Sequence, residues 1–106
     1  MVGAIKRAEN NFFDERGNFF AFNDHCANLA AITNNLGIDL TDSCTAAPRW
    51  TYNVSNASGT MRIVAERSGN PANTIFMDLE GANRNRWQGN GDYTTTTGRF
   101  WPYLQN

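Results

Sequence analysis

Charge is scarce in this chain. Only 18% of its 106 residues are Asp, Glu, Lys or Arg, against roughly a quarter in an ordinary globular protein. Nine basic residues oppose ten acidic ones, for a formal net charge of −1, so no basic field exists to gather nucleic acid or anionic lipid. Histidine occurs once, at His25. No apolar run approaches the ~18 residues of a membrane span, and no signal-peptide pattern is present. Asn, Thr, Gly and Ser carry the polarity instead, a habit of extracellular proteins. The length suits one domain, and one only.

The two cysteines, Cys26 and Cys44, read as one disulfide made in an oxidising compartment, with two buried thiols as the alternative. Closing a loop of that length stabilises a small domain by about 3 kcal/mol in the chain-entropy model. A disulfide without a signal peptide suggests an exported protein whose mature chain starts downstream of its leader, with Met1 an added start.

Residues 2–16 have a helical rhythm in Ala4, Ile5, Ala8, Phe12 and Glu15, with Lys6, Arg7, Glu9 and Asn10 on other faces. Gly17 sits where a C-cap wants positive φ, and Arg16 occupies the last turn. No N-cap precedes Ala4, as expected if this were the end of a longer helix. Residues 18–48 form a connector: an aromatic cluster of Phe19, Phe20 and Phe22, then a short helix over 25–35 capped by Asn23 or Asp24 and closed by Gly37. From residue 49 the period changes to two. Trp50, Tyr52 and Val54 alternate with polar neighbours, then Met61, Ile63 and Ala65, then a third strand over 74–79, with turns at 56–59 and 68–71. Residues 83–91 read as a loop and 94–97 as a fourth, edge strand. Helical elements precede strands, so the fold class is α+β, a helix packed on a three- to four-stranded antiparallel sheet. Ile5, Ala8 and Phe12 are expected to meet Trp50 or Tyr52, Val54, Ile63 and Phe76.

Sites with chemistry are few. His25 beside Cys26 suggests a thiol–base pair, but neighbours on a helix face apart, and His25 reads as a surface residue beside a half-cystine. A hydrolase would need His25, Glu66 or Glu80, and an arginine brought together. The stretch 78–92 offers Asp78, Glu80, Asn83, Asn85, Asn90 and Asp92 as oxygen donors, yet its spacing matches no EF-hand loop, so no metal or cofactor is expected. Arg84, Arg86 and Trp87, with Arg99, Phe100 and Trp101, interleave cations and aromatics that can form a stacking groove for a glycan or a single nucleic-acid strand. Asn53-Val54-Ser55 and Asn56-Ala57-Ser58 fit the N-glycosylation sequon.

The segment from Ala4 to Phe19, AIKRAENNFFDERGNF, resembles the end of the long N-terminal helix of type IV pilins and secretion pseudopilins. The order that follows, a connector and then an antiparallel sheet, matches that family across the whole chain. The family's leader and apolar half-helix are missing here, and Cys26 and Cys44 lie in the connector rather than in the usual C-terminal loop. The resemblance implies a non-enzymatic subunit of a pilus-like filament, whose partners are copies of itself or related pilins. It would be held in the inner membrane through a preceding apolar helix before assembly and displayed outside the cell afterwards. Nucleic acid is not an expected partner. A free-standing secreted module binding a glycan or a nucleic-acid strand is the alternative.

Overall fold

A computed structural model describes residues 2–44, 50–68 and 70–94. Helix α1 spans Val2–Arg16 and helix α2 spans Leu29–Leu36, with short 3-10 turns at His25–Ala27 and Thr41–Ser43. Four antiparallel strands follow, in chain order across the sheet: β1 Trp50–Ala57, β2 Thr60–Arg67, β3 Asn70–Asp78 and β4 Trp87–Gly89. The class is α+β, with the helix packed on a four-stranded antiparallel sheet.

Local chemistry explains the boundaries. Gly17 (φ 78°) ends α1 and donates its N–H to the Phe13 carbonyl at 2.7 Å. The β1–β2 hairpin is tighter than the sequence suggests: strands reach Ala57 and Thr60, leaving Ser58 and Gly59, both at positive φ. That is the turn whose twist matches its strands. Asn56 stabilises it by accepting the Gly59 N–H at 2.8 Å. The short connector helix divides in two. Asn28 stands at the start of α2, and neither Asp24 nor Asn28 makes a side-chain cap.

One core joins helix to sheet. Val2, Ile5, Ala8 and Phe12 from α1 meet Tyr52, Val54, Ile63, Ala65, Met77 and Leu79, with Ile32, Leu36 and Leu40 from the connector closing one side. Phe22 adds a single strand residue to the free edge of β1. It exchanges both backbone hydrogen bonds with Val54, at 2.8 and 2.9 Å, which protects an edge otherwise open to another chain.

Further expectations are corrected. Phe76 lies outside the helix–sheet core: the register sets it opposite Val64 and Gln88 on the outer face, under the Arg62 guanidinium at 4.3 Å. Ile75, Phe76 and Met77 are all apolar, so alternation alone allows either phase, and pairing with Ile63 selects Met77. Glu15 is exposed, while Glu9 is wholly buried, because the chain after Gly17 folds back over its side of the helix. The fourth strand is Trp87–Gly89, inside the stretch read as a loop. Three residues are too few for a visible period. The proposed strand at 94–97 lies largely outside the described residues.

Candidate functional site

Cys26 and Cys44 form a disulfide, with Cα atoms 5.5 Å apart, that ties the turn before α2 to the chain leading into β1. Beside it, His25 is completely buried rather than on the surface. Its Nδ1 accepts the Tyr52 backbone N–H at 3.1 Å, so the neutral ring carries its proton on Nε2. That nitrogen donates to Ser43 Oγ at 2.8 Å, and the Ser43 hydroxyl donates in turn to the Leu40 carbonyl at 2.7 Å. Tyr52 closes over the ring edge-on, centroids 4.8 Å apart. Burial holds the imidazole below its ordinary pKa of 6.5, and the nearby Asp24 charge acts the other way. His25 is thus a structural hub joining the connector to β1.

The same geometry bears on metal binding. Among the described residues, His25, Cys26 and Cys44 are the group whose ligand atoms lie close enough to share an ion, within 4.8 Å of one another. The sulfurs are bonded to each other, and the proton on Nε2 points at Ser43. A metal on Nε2 would need that proton moved to Nδ1, against the Tyr52 N–H. The trio does not fit an ion.

The oxygen donors of 78–92 are dispersed. Asp78 pairs with Arg62 at 2.7 Å, Glu80 accepts the Met61 N–H at 2.9 Å, and Asp92 exchanges hydrogen bonds with Asn73, both at 3.1 Å. Asn83, Asn85 and Asn90 are exposed. Glu66 sits on the outer face of β2, opposite Thr51 and Thr74, with the sheet between it and His25. Of the sequon asparagines, Asn53 is half-buried and accepts the Asp24 N–H at 2.6 Å, whereas Asn56 is exposed at the hairpin.

The cationic and aromatic residues separate. Arg84 and Arg86 are exposed on the loop after β3, while Trp87 is half-buried. Arg84 lines a cleft of about 250 Å³ with Asn10, Phe13, Asp14, Phe19 and Glu80. Trp87 lines another, of about 260 Å³, with Val2, Trp50, Tyr52, Ala65 and Ile75. Arg99, Phe100 and Trp101 lie outside the described residues.

Sequence reasoning missed Glu9. Its Oε1 accepts the Phe20 N–H at 2.7 Å, and its Oε2 has no partner. Burial pushes the carboxyl up from 4.5 to about 7, against the pull of the Phe20 bond. A charged residue one step past Ala8 gives no local sign of being covered.

Compared with known proteins, the chain matches no family model, no curated protein and no solved structure.

Proposed function

We propose that the chain is a structural, non-enzymatic subunit of an extracellular filament of the type IV pilus class. The observation that carries this reading is the way α1 is used. One face, Val2, Ile5, Ala8 and Phe12, is held by the subunit's own sheet, and a separate stripe, Arg7, Asn11 and Glu15, is exposed. A helix held in this way can meet neighbouring helices while its sheet coats the outside of an assembly. The element order, helix, disulfide-tied connector and antiparallel meander, supports the same reading. The commitment of both His25 nitrogens supports a non-catalytic role, since neither is free to take a proton from a substrate.

In this reading the partners are further copies or related subunits. The precursor is held in the inner membrane by an apolar helix ahead of Val2, and the finished protein is displayed outside the cell. The source gene tests it. Codons upstream of Val2 should encode a short basic leader and about 20 apolar residues, and sheared cell-surface filaments should contain the protein. A conventional secretion signal immediately before Val2, or a protein recovered only in dispersed form, overturns the reading.

A further inference from the structure

Phe13 is the large apolar side chain that the described residues leave exposed, at 41%. Its ring stacks on Phe19, centroids 4.6 Å apart and planes 25° from parallel, so α1 and the segment after Gly17 together present one aromatic platform. Asn10 and Asp14 stand beside it on α1, and Glu80 and Arg84 approach from the loop after β3, around a cleft of about 250 Å³. Neither Asp14 nor Arg84 has an ion-pair partner among the described residues, although both line this cleft. Glu80 is pinned through one carboxylate oxygen by the Met61 N–H, which leaves the other oxygen uncommitted.

From this geometry we infer that the Phe13–Phe19 cleft is a binding site for a single uncharged sugar ring. A pyranose has a C–H face and a rim of hydroxyls, each both donor and acceptor. Phe13 and Phe19 offer a negative π surface to the C–H face. The carboxylates accept, the guanidinium donates and the Asn10 amide does both, so the cleft supplies mixed polarity on one side and an apolar wall on the other. The volume lies below the roughly 300–1,000 Å³ of drug-sized pockets and suits one ring rather than an oligomer. Two carboxylates outnumber one guanidinium, which disfavours phosphates and acidic sugars. The inference does not depend on the filament reading and stands or falls separately from it.

The test is titration of the 15N-labelled chain with glucose, galactose and N-acetylglucosamine, each to about 50 mM, where millimolar affinity approaches saturation. At least one sugar is expected to shift the amides of Asn10, Phe13, Phe19 and Arg84 in a saturable way. Phe13→Ala should weaken that binding about tenfold, the scale of one lost stacking surface. Because Phe13→Ala also removes a contact with Phe19, Arg84→Ala serves as the second variant. It lies on an exposed loop with no ion pair to lose, and it too should weaken binding severalfold while leaving the remaining spectrum unchanged. No shift with any of the three sugars overturns the inference. So does binding that survives both substitutions, or a response at these amides to butylamine but to no sugar, which would mark the cleft as a docking point for a cationic side chain.

Discussion

Among the described residues, His25 in the connector and Glu9 on α1 are both completely buried, and they are treated in opposite ways. His25 is satisfied on both nitrogens, inside a relay that runs from Tyr52 through Ser43 to Leu40 and is stapled by the adjacent disulfide. Glu9 is satisfied on one oxygen only, by Phe20, and its other oxygen is buried without a hydrogen-bond partner. The difference shows why burial alone does not decide what a polar residue contributes. A fully bonded group specifies how two segments meet, whereas a half-bonded one weakens the seam in which it sits unless it takes up a proton. The connector is therefore firm at its disulfide end and conditional where it crosses α1.

The largest expected effect tests the packing beneath the weaker seam. Phe12 is buried against the sheet and touches Phe20 at 5.8 Å between ring centroids. Phe12→Ala should cost about 3–5 kcal/mol, read as a lower denaturant midpoint, and an unchanged midpoint would mean that α1 does not pack as described. At the firm end, reducing the disulfide of the intact chain should cost about 3 kcal/mol for a separation of 18 residues, and unfolding with and without reductant measures it.

The Glu9 carboxyl brings a comparable effect that depends on pH. Its folded pKa of about 7 stands above the ordinary 4.5, so the folded state binds the extra proton. Stability is therefore full below about 4.5, falls as pH rises, and levels off above about 7, a loss of about 3 kcal/mol at most. Glu9→Gln keeps the acceptor for Phe20 and should abolish this fall. Melting temperatures of the two proteins from pH 4 to 8 check it, and parallel curves would refute it.

The smallest effect is the reverse limb from His25. Its folded pKa is depressed, so its contribution is present above 6.5 and is lost as pH falls below that value. In the wild-type chain the two limbs oppose each other between about 4.5 and 6.5. In Glu9→Gln the histidine limb should emerge alone, as stability that rises with pH and flattens near 6.5.

Much of the architecture was legible in the residues. Period-two alternation located the first two strands, an apolar stretch between turn signals located the third, Gly17 and Gly37 marked both helix ends, and the paired cysteines announced the staple. Local chemistry dictates those features: a turn glycine, an alternating face and an even thiol count act over a few neighbours. The candidate site was less legible. Arg84 was picked out for its charge, but its cleft partners Asn10, Phe13 and Phe19 come from chain positions far from it.

By itself, the amino-acid order determined the fold class, the helix-then-strands succession and the disulfide. Only the tertiary structure decided which side of β3 faces the core, where the fourth strand forms, and that Glu9 and His25 are covered. Each of those depends on a segment distant in the chain: Ile63 selecting Met77, β3 recruiting Trp87–Gly89, Phe20 folding over Glu9, and Tyr52 reaching Nδ1 of His25. Burial and pairing are properties of where two segments meet, and no local pattern encodes that meeting.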